Sequence, residues 1–235
     1  MAENTPQPGL VMVAIDPGDE LAGLRAWYES VRIPAVLAVP GVTAANKWEI
    51  VVSFVDSGIG NRVAGPPYPG YIVSYELDDV NISHSDAFLD AIGRDFGLSV
   101  DIDGRTVDFD QFMWVTLGQV RNHLNPAFET TPVGAMLVVS HSPEREYVDL
   151  YHRWMDEEHV DELMSCPGYL RTRRFKALDG IPNFFALYEL DSPEALNSPR
   201  MLSFSSRGRE QKPPIHQEIS KHMVETICDV YRRID

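Results

Sequence analysis

Gly9-Leu10-Val11-Met12-Val13 and Gly134-Ala135-Met136-Leu137-Val138 are two apolar runs of one pattern, 125 residues apart. Trp27, Pro40 and Gly41 return as Trp154, Pro167 and Gly168 at an offset of 127. Tyr75-Glu76-Leu77 returns as Tyr188-Glu189-Leu190 at 113. Met113, Thr116, Leu117 and Val120 return as Met223, Thr226, Ile227 and Val230 at 110. The matches keep one order along the chain, and their offset changes only between segments. That is the signature of a tandem duplication, with a first repeat over 1–127 and a second over 128–235.

Each repeat reads alike. A short apolar strand (about 10–15 and 135–140) precedes a helix opened by acidic residues, Asp16-Pro17-Gly18-Asp19-Glu20 or Ser142-Pro143-Glu144. The helix stops before Pro40-Gly41 and Pro167-Gly168, where Pro interrupts the hydrogen-bond ladder and Gly accepts a sharp turn. Two strands follow (about 43–56 and 71–77; about 169–178 and 183–190). A second helix (about 83–96; about 193–206) and a last strand (about 112–122; about 222–233) complete the unit. The order βαββαβ is the ferredoxin-like motif, whose sheet has helices on one face and an apolar bare face on the other. A second copy supplies the missing cover. The expected fold is therefore α+β, two ferredoxin-like repeats forming a single-chain α+β barrel. The fall in offset from 127 to 113 gives the first repeat extra residues from Ser57 to Gly70. They are expected to form a flap with Tyr68 and Tyr71 able to touch a ligand.

The formal net charge of -15 argues against nucleic acid or an anionic membrane surface as partner. Residues 1–127 hold seven Lys or Arg against seventeen Asp or Glu, so most of the acidity sits in the first repeat. Cys166 and Cys228 have no spacing that suggests a disulfide framework or a zinc site. Neither a signal peptide nor a run of membrane-spanning length is evident, and a cytoplasmic protein is expected.

The first helix of each repeat carries the sharpest functional signal. In the second repeat Val148, Tyr151, Met155 and Leu163 form a buried stripe at helical spacing, and His159 falls on it. In the first repeat the stripe is Leu21, Leu24, Tyr28 and Val36, with Arg32 in the place of His159. Two breaches of the apolar pattern at equivalent places point to function. An imidazole in an apolar cavity is held neutral and ready to accept a proton. An enclosed Arg keeps its charge and calls for a carboxylate or phenolate. The alternative reading has His159 hydrogen-bonded in the core and Arg32 reaching the surface or a nearby Glu. His152, Asp156 and His159 share a helical spacing that could gather a metal, but nothing completes the shell, so no metal is expected. Gly58-Ile59-Gly60 is not a phosphate loop, because Pro66-Pro67 intervenes before any helix. His216 and His222 flank a loop rich in Pro and charge.

Tyr151-His152-Arg153-Trp154-Met155-Asp156-Glu157-Glu158-His159-Val160, followed by Cys166-Pro167-Gly168-Tyr169 and Arg173-Arg174-Phe175, resembles the EthD-like branch of the dimeric α+β barrel superfamily. The first repeat resembles it less, through Trp27-Tyr28-Glu29, Arg32 and Pro40-Gly41-Val42. The resemblance implies ligands between sheet and helices, and activities ranging over cofactor-free oxygenases, cyclases, isomerases, dehydratases and haem enzymes. It also marks the helix His, here His159, as the acid–base group. The reading is a cofactor-independent lyase, isomerase or cyclase acting on a small hydrophobic, aromatic or polyketide-like compound. His159, Arg32 and Tyr28 are its candidate catalytic residues. Arg173, Tyr75, Tyr188, Trp154 and Tyr68 are its candidate substrate contacts. A haem- or oxygen-dependent oxidoreductase and a non-catalytic binding or stress-related protein are the alternatives. A homodimer is not required for folding but is left open by exposed edges.

Overall fold

The computed structural model describes residues 6–53, 70–93, 99–109, 112–124, 126–178, 183–205, 207 and 209–234. Ser57 to Pro69, the body of the expected flap and the site of Tyr68, lies outside them. The first repeat contains β1 Gly9–Ile15, α1 Leu21–Trp27, α2 Ile33–Leu37, β2 Val42–Ser53, β3 Tyr71–Leu77, α3 Asp86–Ile92, β4 Ser99–Ile102, β5 Arg105–Asp108 and β6 Phe112–Leu124. The second contains β7 Ala135–Pro143, α4 Val148–Trp154, α5 Val160–Met164, β8 Tyr169–Ala177, β9 Phe184–Leu190, α6 Pro199–Ser205, α7 Pro214–Ile219 and β10 Met223–Ile234. Hydrogen bonding orders eight strands as β1-β3-β2-β10-β7-β9-β8-β6 in a closed barrel, the expected α+β class. No helix of the described residues is long and apolar enough to cross a membrane.

By compactness the chain divides into Met1–Glu49, Tyr68–Gln119 and Ile234–Asp235 as one unit, and Ile50–Pro67 with Val120–Arg233 as the other. In the first unit β1 pairs antiparallel with β3 (Val13 opposite Val73) and with β6 (Leu10 opposite Leu117). In the second unit β7 pairs antiparallel with β9 (Leu137 opposite Tyr188) and β10 (Val230 opposite Leu137). Every residue of β1 and of β7 is buried. That explains why β1, and β7 as far as Val139, read as unbroken apolar runs and not as alternation. Each unit has its own helix-side core: Val11, Val13, Tyr75 and Phe88 meet Leu24 and Tyr28 in one. Leu137, Val139, Ala186 and Tyr188 meet Tyr151, Met155 and Leu163 in the other.

The Pro-Gly turns behave as read. Gly41 has φ 87 and Gly168 has φ 89, a left-handed backbone that favours glycine. A Cβ on Gly168 would stand 2.6 Å from the Ala195 Cβ, so the turn is also closely packed. Two elements go beyond the sequence reading. Asp103 (φ 53) and Gly104 (φ 75) turn the β4–β5 hairpin, and α7 lies in what reads as a loop around His216.

The helix stripe needs one correction. The first helix of each repeat contains a single π turn, Tyr28–Arg32 between α1 and α2, and Met155–His159 between α4 and α5. A π turn inserts one residue into the helical repeat. The residue that continues the buried stripe after Met155 is therefore Val160, five positions on, and not His159 at four. Met155, Val160 and Leu163 are buried, while His159, the last residue of the turn, is half-buried beside them. Arg32 closes the turn of the first repeat in the same half-buried place.

Candidate active site

Among the described residues, the rings that meet His159 belong to the second repeat. The Trp154 ring stacks on its imidazole with centroids 4.2 Å apart and planes 26° apart. Tyr188, from β9, meets it edge-on at 6.2 Å, and His216, from α7, does so at 6.1 Å. Burial pushes the His159 pKa well below the ordinary value, and the nearby His216, His141, Lys212 and Arg174 add to the effect. The ring is neutral at pH 7. No hydrogen bond engages either of its nitrogens among the described residues.

The neighbouring imidazoles are held neutral too. His141, buried on β7, is pushed down to about 3, chiefly by burial and then by Arg174 and His216. Its Nδ1 lies 3.3 Å from the Tyr151 hydroxyl, whose own pKa burial raises, so the phenol keeps its proton and can donate it to the ring. His216 is pushed down to about 4 by burial and by Lys212, whose Nζ lies 3.1 Å from its Nε2. An ammonium has only protons to offer, so the proton of His216 resides on Nδ1. Glu158, next to His159 in the π turn, accepts the Ile215 and His216 amides at 3.1 and 2.9 Å and so fixes the start of α7. Two donors stay unsatisfied: Trp154 Nε1 and Tyr188 Oη are buried and have no hydrogen-bond partner among the described residues. Orphaned buried donors are expensive, and two of them on rings that both meet one imidazole suit a ligand's oxygen.

The other candidates fall elsewhere. Asp156 pairs with Arg174 and, at 3.2 Å, with Arg121, while His152 Nδ1 is 3.1 Å from Arg174. Two of the three residues at metal-like spacing thus contact one guanidinium, and no metal-ligating cluster occurs among the described residues. Arg173 ion-pairs with Glu189 at 2.9 Å. Glu189 follows Tyr188 in β9 and so faces the opposite side of the sheet. The structure does not bring Arg173 to His159. Arg32, Tyr28 and Tyr75 gather in the first repeat. Arg32 Nη1 donates to the Ala91 carbonyl at 2.9 Å, and its guanidinium lies 4.6 Å from the Trp27 ring centre. Sequence reasoning missed His141 and His216. His141 is two positions beyond Val139 on the same strand face, a signal open to period-two reading. His216 lies between Ile215 and Ile219 behind Pro213-Pro214, a short helix start that the local Pro content conceals.

No protein-family model matches the sequence, and no curated protein matches it. Solved structures do match over nearly the whole chain. An anthrone oxidase-like protein superposes with a TM-score of 0.61 at 10% identity, covering 100% of this chain and 93% of its own. A monooxygenase candidate from Fusobacterium nucleatum gives 0.58 at 7% identity, with coverages of 98% and 94%. A chlorite dismutase candidate gives 0.53 at 12% identity, with coverages of 98% and 96%. At these identities the likeness is one of fold, and it agrees with the closed ferredoxin-like barrel described above.

Proposed function

We propose that the second repeat is the active site of an enzyme that deprotonates a small, flat aromatic compound, with His159 as the group that takes the proton. One observation carries the reading. His159 is a neutral imidazole with neither nitrogen engaged among the described residues, placed beside two unpartnered donors, Trp154 Nε1 and Tyr188 Oη. A base must be unprotonated to act, and the lowered pKa keeps it so through the neutral range. As the proton leaves, negative charge grows on the substrate's oxygen. Fixed N–H and O–H donors in a dry site are suited to stabilise it. The imidazolium that forms is in turn stabilised by the anion opposite it. Trp154 and Tyr188 would also select for a planar ring by stacking and edge contact.

Proton removal is the first step shared by cofactor-free isomerases, cyclases and oxygenases. The motif around Trp154, Glu158-His159 and Pro167-Gly168 favours the EthD-like branch. The names carried by the structural neighbours make molecular oxygen the first acceptor to test for the resulting carbanion. His159 is poorly suited to be the proximal ligand of a haem. A proximal His is normally held by an acceptor for its second ring N–H, and His159 has none among the described residues, its basic neighbours being His216 and Lys212.

The test is turnover of hydroxylated anthrone- and naphthol-type compounds by the purified protein, followed by substrate absorbance and an oxygen electrode. His159→Ala is expected to lose about 10²- to 10⁴-fold in turnover while keeping its circular dichroism spectrum. Full activity in that variant would defeat the assignment. Substrate loss without oxygen uptake would place the enzyme among the isomerases or cyclases.

A further inference from the structure

The first repeat has its own group of buried or half-buried donors that lack an anionic partner among the described residues. Arg32 is half-buried at the end of its π turn. One of its nitrogens caps the Ala91 carbonyl near the end of α3, and its face covers Trp27, but no carboxylate pairs with it among the described residues. An Arg cannot escape this by losing its proton. Tyr75, fully buried on β3, has a hydroxyl without a partner. The Tyr28 hydroxyl, on the same helix as Arg32, has no hydrogen bond among the described residues either. The three share one neighbourhood: Arg32 ends the π turn that Tyr28 begins and caps Ala91, three residues along α3 from Phe88, whose ring the Tyr75 ring meets at 6.5 Å. Burial raises the pKa of both phenols, and the charge of Arg32 opposes that rise at both. Both tyrosines therefore remain protonated and can only donate to an anion. Around them stand aromatic walls: Trp27 meets Tyr28 at 5.1 Å, Tyr28 meets Tyr71 at 5.8 Å, and Tyr75 meets Phe88 at 6.5 Å.

We propose that the first repeat is a binding site for a small aromatic carboxylate, held by the Arg32 guanidinium and the Tyr28 and Tyr75 hydroxyls, and distinct from the His159 site. The chemistry of the donor set selects this class. A guanidinium and two phenols present donors alone, a carboxylate presents acceptors alone, and the planar walls favour an aryl group.

Benzoate is the probe, with benzamide as its neutral isostere, titrated calorimetrically into the full-length protein near pH 7. Benzoate is expected to bind at least tenfold more tightly than benzamide. Arg32→Met, which keeps the apolar stem, should cost at least tenfold in benzoate affinity, and Tyr75→Phe several-fold. His159→Ala should leave the affinity unchanged, which separates this site from the one proposed above, whatever becomes of that reading. If Arg32→Met does not fold, the benzoate–benzamide ratio on the wild-type chain decides. Equal binding of the two probes, no benzoate binding, or a loss on His159→Ala would overturn the proposal.

Discussion

The two π turns are the same device loaded with different chemistry. In the first repeat the turn ends in Arg32, a permanent cation that caps a helix carbonyl and covers Trp27. In the second it ends in His159, a neutral ring stacked on Trp154. Their surroundings diverge accordingly. The first repeat adds the β4–β5 hairpin, whose Val100 and Ile102 join the apolar core. The second adds α7, which sets His216 beside His159. The repeats share the π turn and differ in the element that precedes the last strand, a hairpin in one and α7 in the other. The lesson is that the π turn positions a polar side chain at the core's margin, and the inserted element determines what that side chain can do.

The largest effect should come from exchanging the two end residues' roles. His159→Ala removes the proposed base, whereas Arg32→Ala leaves the chemistry in place. Turnover should fall by about 10²- to 10⁴-fold in the first and by less than about threefold in the second. Comparable losses in steady-state assays would erase the distinction between the repeats. His159→Arg should destabilise as well as inactivate, because it adds a third positive charge to those of Lys212 and Arg174. A loss of a few kcal/mol in urea unfolding is expected.

Acid should separate the repeats next. His141 and His216 have folded pKa values of about 3 and about 4, below the unfolded value near 6.5. Between those limits the unfolded chain binds protons that the folded chain refuses. Their contribution is therefore present above pH 6.5 and is lost as pH falls toward 4 and then 3, with a slope nearing about 1.4 kcal/mol per pH unit for each group. Stability measured from pH 7 to pH 4 should drop less steeply in His141→Phe, and an unchanged slope would contradict the neutral, buried assignment.

The smallest contrast is in the turns. Gly168→Ala places its Cβ against the Ala195 Cβ and the Asp191 carboxylate, while Gly41→Ala meets the flexible end of Ile82. Both strain a left-handed backbone, at about 1 kcal/mol or more. Thermal melts should show the larger loss at Gly168.

Much of this architecture was legible in the residues. The repeated apolar runs, Trp27 and Trp154, and the two Pro-Gly turns define the tandem βαββαβ pattern. Burial on both faces of β1, and of β7 as far as Val139, follows from their unbroken hydrophobicity. The π turns were not legible, because both copies contain one. The offset of 127 holds from Trp27 through Gly41, so aligning the copies cannot reveal an insertion they share. The hairpin was readable, since Asp103-Gly104 is the residue pair that a turn with two positive φ angles requires. Of the proposed site, His159, Trp154 and Tyr188 could be named from the sequence, and the structure brings their rings together. Arg173 ion-pairs with Glu189, and the spacing of β8 alone does not tell which strand face receives the helices.

The most direct test of the central claim is the titration of His159 itself, followed by nitrogen-15 NMR of the imidazole. A ring that stays neutral well below pH 6.5, and whose shift moves when an aromatic substrate analogue is added, is the predicted result. A ring that protonates at pH 6.5 or above, or that shows a nitrogen locked in a structural hydrogen bond, would contradict the account.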